Sequence, residues 1–520
     1  MQSFARGEKP VGFQKGAMVR AGSVEVSISA GNGPLRRLAL ALVIFVALAL
    51  RLWAVLTHTY VLYPDETFQY LEPAHRLAFG SGVVAWEYID GIRSWLLPGV
   101  IAAVMRLAAL IDPAPHGYVL ATRICCILAS LVLPYVGFRL GERRGGLAGG
   151  IVAGLLGALW YEAVYYAPVV MTEPLATYAA ILAFWLGEPP ASPRRLAAAG
   201  ALFGLAACLR YQYAPALALA ALVQHRHDRR AIVTVALSGL AILLVGAGLL
   251  DALTWGSPFQ SIWLNFQRNA IDDVGAPMGV EPWWFTSGYF LAAWGWTAPL
   301  LGGLAVLGAT EMPALAVAAV VTVVLHAFPQ HKEERFIYLA IAIAPLLVGL
   351  GVARLGVWPR RARAVAAAAA AVVICAAEAM AVFAGATPAD AWHRNESVLH
   401  TFAAARAVPG LCGLGVRSLG VFRSGGYTYL HRDVPIYFDT YEIAQHLPGS
   451  AFRMRIRVVL DGKEVPQFPG AALRGASSRF NVLIGTPDDG LPGFSRVACF
   501  GDGSLGDERF CLFRRPGGCG

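Results

Sequence analysis

Long apolar runs recur through most of this 520-residue chain, and they limit its fold more than any other feature. The first run covers residues 35 to 58, and similar runs follow until about residue 386. A helix that crosses a hydrocarbon core of about 30 Å needs about 20 apolar residues. Because 57% of the residues are hydrophobic and only 14% are charged, the sequence predicts an all-α polytopic membrane protein.

Basic residues lie in short clusters between the apolar runs, and this arrangement sets the predicted topology. If residues 94 to 111 crossed the membrane, every later basic cluster would lie on the outer side, whereas basic clusters favour the cytoplasmic side. We therefore interpret that stretch as an interfacial or re-entrant helix. Residues 196 to 224 are predicted as two short helices that meet near residues 209 to 213. The scheme gives about eleven transmembrane helices, with the N-terminus inside and the C-terminus outside. The same topology accounts for the net charge of +9 better than nucleic-acid binding does.

Three regions follow from this scheme. Residues 1–33 are predicted as a disordered cytoplasmic lead. Residues 34–386 form the transmembrane domain, with outer loops at 59–116 and 255–286. Residues 387–520 form a small extracytoplasmic domain with α/β or β structure, because short strand-like stretches alternate there with Gly and Pro turns.

Details of the C-terminal region sharpen this expectation. The predicted strands are residues 434–438, 455–460 and 481–484, and Pro435 confines the first of them to a sheet edge. Four cysteines lie in this region, and one or two disulfides are expected if it lies outside the cytoplasm. Cys499 and Cys511 are the first pair that we expect.

The first outer loop is dense in acids and aromatic residues. Asp65, Glu66, Glu72, Glu87 and Asp90 lie within it, together with His75 and Arg93. A solvated loop without function is the alternative, but it does not explain the aromatic residues interleaved with these charges. Acids and aromatic rings at a membrane edge indicate a site for a sugar or a headgroup.

Other polar features converge on the same outer face in this topology: Thr172 and Glu173, Arg210 and Tyr211, and residues 331 to 335. They form either a structural charge network or an active site. Glycosyl transfer from a lipid phosphate needs a carboxylate base and cations for the departing phosphate. Asp65 is the candidate base, and Glu66 is either the base instead or a group that orients the acceptor. The candidate cations are His331, Lys332, Arg335 and Arg210.

The first outer loop also contains possible metal ligands. Asp65, Glu66 and His75 are possible ligands, but their spacing matches no tight metal signature. The sequence therefore predicts no metal and no other cofactor.

The motif residues resemble those of glycosyltransferase family 22, the mannosyltransferases of N-glycan precursor and GPI-anchor assembly. The likeness is carried by Pro64 to Gln69, Glu72, His75, Phe79 and Gly80, Trp86 to Tyr88, and Arg93 and Ser94, and by residues 331 to 336 and 279 to 285. It extends over about residues 35 to 345 and is greatest with the GPI-anchor branch. Tyr63, Ala85 and Val170 stand where many members have His, Thr and Asn.

The resemblance implies the C-type glycosyltransferase fold, a polyprenyl-phosphate sugar donor and inversion at the anomeric carbon. It also implies a catalytic aspartate in the first outer loop, which maps onto Asp65. With Glu66 as the second catalytic candidate, the residues expected to bind substrate are His75, Trp86, Glu87, Arg93, Glu173, Arg210, Tyr211, Trp283, His331, Lys332, Glu334 and Arg335.

The leading hypothesis is therefore a mannosyltransferase that transfers mannose from a polyprenyl-phosphate mannose donor to a glycan or glycolipid acceptor. Its other expected partner is membrane lipid, and no nucleic acid is expected to bind. The abundance of Ala, Arg and Gly suggests a bacterial inner membrane, with the site facing the periplasm. One alternative is transfer of glucose or an aminoarabinose. Another is a transporter of a lipid-linked anion, which predicts ionisable residues deep in the spans and an internal repeat. Charges away from the predicted span ends are few: Arg51, Arg123 and Glu378.

Overall fold

The computed structural model describes residues 33–58, 60–356, 361–384, 392, 394–440, 442–444, 453–468, 470–503 and 508–520. The predicted lead at residues 1–33 lies almost wholly outside them. The described chain is mostly helical up to residue 384. Its longer helices there are α1 (Gly33–Thr57), α2 (Glu72–Phe79), α4 (Leu96–Ala109), α5 (Pro115–Ser130), α6 (Val132–Leu159), α8 (Thr172–Leu186), α9 (Pro193–Leu209), α10 (Ala214–Gln224), α11 (Arg229–Leu243), α13 (Gln260–Phe266), α14 (Phe285–Trp294), α15 (Ala298–Glu311), α16 (Pro313–Leu325), α17 (Tyr338–Gly356) and α18 (Arg361–Ala384).

Short elements complete this part: β1 (Gly82–Val84), α3 (Trp86–Ile89), α7 (Tyr161–Tyr165) and α12 (Leu250–Trp255). The C-terminal region contains α19 (Glu396–Arg406), β2 (Leu414–Val416), α20 (Gly426–Leu430), β3 (Ile436–Phe438), β4 (Glu442–Ala444), β5 (Arg453–Arg455), β6 (Arg457–Leu460), β7 (Lys463–Val465), α21 (Ala471–Gly475), β8 (Val482–Gly485), β9 (Ser495–Phe500) and β10 (Phe510–Arg514).

Five helical stretches of the described residues are long and apolar enough to cross a bilayer: Gly33–Thr57, Pro115–Leu159, Arg229–Trp255, Phe285–Glu311 and Glu334–Gly356. Other predicted crossings correspond to shorter or broken helices, so the count of about eleven stays a prediction. Helix α6 ends at Leu159, the chain turns at Trp160, and α8 begins only at Thr172. α4 has 14 residues, about 21 Å of helix, and fits the interfacial interpretation.

Helix α17 is the buried centre of the transmembrane domain, and it packs against α6 and α15. It is apolar on all sides, as expected for a helix enclosed by others. Glycines allow close approach, since a Cβ on Gly351 would lie 2.1 Å from the carbonyl oxygen of Leu304, and one on Gly308 would lie 1.9 Å from that of Leu347. Small residues at such crossings let backbones meet and strengthen packing between membrane helices.

An ion-pair cluster joins several helix ends at one end of the bundle. Glu188 pairs with Arg143 and Arg144, and Glu311 pairs with Arg144 and Arg354. These arginines belong to clusters that the sequence assigns to the cytoplasmic side. Arginines from separate basic clusters of the sequence therefore lie together at the same end of the helix bundle, as the predicted topology requires.

The C-terminal region confirms the predicted β structure. Its five-stranded sheet has the order β3-β2-β8-β10-β9, in which β2 runs parallel to both neighbours. β3 carries the stretch after Pro435 and lies at the sheet edge, as predicted. The expected disulfide between Cys499 and Cys511 joins β9 to β10, and a second disulfide joins Cys412 to Cys519.

The first outer loop and the C-terminal region form one packed unit. β1 pairs antiparallel with β6, and Val83 lies opposite Val458. Phe68, Val83 and Ala85 also lie in the hydrophobic core of the C-terminal region. Because paired strands share one side of a membrane, the chain between them crosses an even number of times.

Candidate active site

The turn that carries the candidate base is itself unusual. Asp65 precedes a π-helical turn, Glu66–Leu71, and its side chain does not cap that turn. π-Helical turns are rare and are frequent at functional sites. The side chain of Asp65 is 27% exposed, whereas every residue of the turn is buried. The local backbone therefore presents Asp65 outward and turns its successor inward.

Asp65 and Arg335 form an ion pair, with 2.7 Å between Oδ2 and Nη2. The guanidinium also contacts Glu333, with 2.6 Å between Nε and Oε2, and lies 4.4 Å from the ring centroid of Tyr63. No described residue forms a hydrogen bond with Oδ1 of Asp65. One carboxylate oxygen is thus held in place while the other is available to a substrate.

Tyr63 links the same region to Glu334. Its hydroxyl donates to Oε1 of Glu334 over 2.5 Å and lies 3.0 Å from the hydroxyl of Tyr166. The predicted site residue Glu334 is therefore a neighbour of Asp65 through Tyr63 and Arg335.

Glu66 is fully buried and faces the helices. Its Oε1 lies 3.2 Å from Nη2 of Arg123 on α5, and the backbone amide of Val170 donates to the same oxygen. Burial raises the pKa of Glu66, while Arg123 opposes that effect. Glu66 is therefore paired with Arg123 inside the protein, and Asp65 is the more exposed of the two candidate bases.

Arg93 lines a pocket beside this turn, which we call the Arg93 pocket. Tyr70, Tyr88, Arg210, Tyr211 and Asn265 also line it. No described residue accepts a hydrogen bond from the Arg93 guanidinium. Burial disfavours its charge, but Tyr70, Glu87, Asp65 and Glu173 outweigh that effect and raise the pKa of Arg93.

The other predicted cations already have partners. Arg210 pairs with Glu173 over 3.1 Å, and Lys332 donates to the carbonyl oxygen of Glu281 over 2.7 Å. Nε2 of His331 lies 3.0 Å from Glu333. Burial works against the charge of Glu333, but Arg335 and His331 together lower its pKa to about 2. These contacts organise the wall behind Asp65.

Two further predicted residues lie near Arg93: Tyr211 lines the Arg93 pocket, and Glu87 interacts electrostatically with the Arg93 guanidinium. Tyr211 donates its hydroxyl to Oδ1 of Asn265 over 3.0 Å. Glu87 accepts from Nε2 of Gln69, and burial raises its pKa to about 7 against the opposing charge of Arg93. The structure therefore places both near the Arg93 guanidinium, which has no hydrogen-bond acceptor among the described residues.

Three predicted site residues lie elsewhere. His75 contacts Nδ1 of His431 through its Nε2 over 2.9 Å, at the interface with the C-terminal region. Trp86 is buried in a small apolar cluster with Ile92, Val274 and Met454. Trp283 is 74% exposed. The structure does not bring these three side chains to Asp65.

Three neighbours of the site were not among the predicted site residues: Arg123, Glu333 and Tyr166. The signal for Arg123 was its position inside an apolar run, since such a charge needs a partner. Among the described residues, no group of three or more His, Cys, Asp or Glu side chains is arranged to hold a metal ion. Metal independence stays a prediction.

Comparisons with known proteins agree with the motif residues. The sequence profile of the Alg9-like mannosyltransferase family matches residues 42–395. GPI mannosyltransferase 3 of Yarrowia lipolytica is 27% identical over 310 residues, which cover 58% of this chain and 60% of that protein. GPI mannosyltransferase 3 of Drosophila melanogaster is also 27% identical, over 57% of this chain and 53% of that protein. The chain thus matches little more than half the length of these relatives. Both are eukaryotic and give no support to a bacterial inner membrane.

A solved structure supports the fold. ArnT from Cupriavidus metallidurans, crystallised with undecaprenyl phosphate, superposes with a TM-score of 0.55 at 14% identity. The match covers 93% of this chain and 98% of that one. At this identity the likeness establishes a shared fold, that of C-type glycosyltransferases, for a multi-pass membrane protein.

Proposed function

The chain belongs to the Alg9-like mannosyltransferase family, and from that premise we propose that it transfers mannose from a polyprenyl-phosphate mannose donor to a lipid- or polysaccharide-linked acceptor. The reaction takes place on the outer face of the membrane, where the first outer loop lies in the predicted topology. The proposal extends to the acceptor class but not to a named acceptor.

The placement of Asp65 carries the proposal. Its Oδ2 is fixed by Arg335, and its Oδ1 is open to a proton from an acceptor hydroxyl. As Asp65 takes that proton, the acceptor oxygen bonds to the anomeric carbon of the donor. The bond from that carbon to the phosphate oxygen breaks, and its electron pair leaves with the phosphate. A single displacement of this kind inverts the anomeric centre.

Arg93 supports the donor half of the proposal. A departing phosphate gains charge, and a guanidinium that has no hydrogen-bond acceptor among the described residues can offer it two parallel hydrogen bonds. Arg335 and Arg210 are less available because carboxylates already hold them. We therefore assign the phosphate to the Arg93 pocket, with Arg210 as its second cation. The carrier class agrees with the undecaprenyl phosphate in the crystals of ArnT.

The test uses purified protein in detergent, radiolabelled polyprenyl-phosphate mannose and a membrane-lipid extract as acceptor. Asp65→Asn should abolish transfer. Asp90→Asn is the matched control, since Asp90 lies in the same loop and faces Arg268 at 3.7 Å. Near-normal turnover by Asp65→Asn with loss of turnover by Glu66→Gln would move the base to Glu66.

A second measurement addresses the donor. Polyprenyl phosphate, the product, should inhibit the wild type, and Arg93→Ala should weaken that inhibition while raising the KM for the donor. Transfer from another polyprenyl-phosphate sugar but not from mannose would keep the mechanism and change the sugar. The absence of transfer from every such donor would overturn the proposal.

A further inference from the structure

A second cavity lies beside the Arg93 pocket, between the first outer loop, α12 and the β6–β7 hairpin of the C-terminal region. Its volume is about 740 Å³. Ligand pockets commonly measure about 300–1,000 Å³. We call it the Trp255 groove.

Three aromatic rings stand together in this groove. The ring centroids of Tyr88 and Trp95 are 4.7 Å apart, and those of Trp95 and Trp255 are 6.1 Å apart. The guanidinium carbon of Arg76 lies 5.3 Å from the Trp95 centroid. A sugar ring has apolar C–H faces that pack on such rings and hydroxyl edges that need polar partners.

Polar side chains on the C-terminal hairpin supply those partners. Arg457 and Glu464 line the groove from β6 and β7, opposite the aromatic rings, and Thr254 lines it from α12. An acyl chain would gain nothing from these groups, which must stay hydrated or find hydrogen bonds. Aliphatic side chains, among them Leu77, Ile89 and Leu250, line the groove as well, so its lining is mixed. A glycan, with apolar faces and polar edges, matches a mixed lining better than a lipid tail does.

The groove is continuous with the proposed donor site. Tyr88 lines both the Trp255 groove and the Arg93 pocket. The indole Nε1 of Trp255 donates to the carbonyl oxygen of Arg93 over 3.0 Å, so the two sites share a wall. Val100 of α4 and Leu253 of α12, the sequence neighbours of the groove residues Gly99 and Thr254, are exposed apolar residues. A headgroup in the groove can thus keep its lipid anchor beside these helices.

We propose that the Trp255 groove binds the glycan head of the lipid-linked acceptor and delivers its terminal sugar toward Asp65. The inference rests on the proposed function for the identity of the acceptor, although glycan binding can be measured without transfer. It also gives the C-terminal region a direct part in acceptor recognition, through Arg457 and Glu464.

Kinetics with wild type, Trp255→Ala and Trp255→Phe form the first test. Trp255→Ala should raise the KM for the lipid-extract acceptor roughly ten-fold, as loss of an aromatic anchor does, while the KM for the donor stays within about two-fold. Trp255→Phe keeps a ring in place and should restore most of the affinity. Trp296→Ala, which removes an exposed indole outside the groove, should match the wild type.

The outcomes separate this inference from the proposed function. A changed KM for the donor with an unchanged KM for the acceptor would overturn the inference and assign the groove to the carrier lipid. Unchanged values for both would overturn it as well, and the proposed function would stand in either case.

A second test needs no catalysis. Saturation-transfer NMR on the solubilised protein would measure binding of free mannotriose, maltotriose and chitotriose to the wild type, Trp255→Ala and Trp255→Phe. Binding of at least one trisaccharide that is lost in Trp255→Ala and kept in Trp255→Phe supports the inference even if no donor is active. Failure of all three to bind the wild type would overturn it.

Discussion

Asp65 and Arg335 meet at 2.7 Å, although one lies in the first outer loop and the other in the 3-10 turn (Glu334–Ile337) just before the buried helix α17. The pair connects the candidate base to the most enclosed part of the transmembrane domain. The guanidinium of Arg335 also contacts Glu333 and the ring of Tyr63, so this one planar group interacts with three side chains: Asp65, Glu333 and Tyr63.

Replacing Arg335 with lysine should lower kcat by up to about a hundred-fold, which is the loss that a displacement of about 1 Å can cause. A lysine offers a point charge and cannot hold Asp65 and Glu333 while stacking on Tyr63. Initial rates against donor concentration would measure the effect. Arg354→Lys, at the opposite end of the bundle, is the control. Wild-type turnover in Arg335→Lys would contradict this role.

Removing Arg123 should destabilise the protein by about 3–5 kcal/mol, because Glu66 would be left as a buried charge without its cation. The variant Arg123→Met keeps the length of the side chain. Its melting temperature in detergent should fall, and the double variant Arg123→Met with Glu66→Leu should recover much of the loss. If the double variant is no more stable than Arg123→Met, the ion pair is not the cause.

A methyl group at Gly426 should separate the C-terminal region from the first outer loop. A Cβ at this position would lie 2.4 Å from Oε1 of Glu72, and the glycine has a φ of +57°. Gly410 has a φ of +70° with nothing within 4 Å, so Gly410→Ala reports the backbone strain alone. Gly426→Ala should lower the melting temperature and activity well beyond Gly410→Ala. Equal effects would refute a steric role for Glu72.

Glu72 should also make stability depend on pH. Burial raises its pKa to about 7, although its carboxylate accepts hydrogen bonds from the backbone amides of Val83 and Thr428. An acid whose pKa rises on folding stabilises the protein fully below its unfolded pKa, near 4.5, and this stabilisation is lost as the pH rises through 7.

The wild type should therefore melt at a lower temperature at about pH 8 than at about pH 5, and the difference should shrink in Glu72→Gln. Thermal unfolding of both proteins at the two pH values measures it. Identical pH dependence in the two proteins would exclude Glu72 as the source.

Local patterns in the sequence predicted much of the fold. The two helices that meet near residue 210, the edge position after Pro435 and the Cys499–Cys511 disulfide each depend on a short stretch or on adjacent strands. Helix breaks were harder, since nothing in the apolar run before Trp160 indicates that α6 ends there. A hydrophobic sequence pattern indicates which segments are buried, but it does not show where a helix turns within a continuous apolar segment.

The candidate site was predicted as a group of residues but not as a set of contacts. Charge phasing brought Asp65, Glu173, Arg210 and Arg335 to one face, and they do lie near one another. Which carboxylate meets which guanidinium depends on helix rotation, and no local pattern encodes it. His75 was misplaced because its partner, His431, belongs to a region that the sequence did not connect with the first outer loop.

The pairing of β1 with β6 also has a consequence for how the protein is made. Residues 82–84 leave the ribosome early, whereas their partners at 457–459 follow only after every membrane helix has been synthesised. The loop that bears Asp65 therefore reaches its final form at the end of biogenesis. A nascent chain that stalls before residue 457 lacks β6, the strand that pairs with β1 of this loop. The catalytic centre therefore assembles only after this part of the C-terminal region has been synthesised.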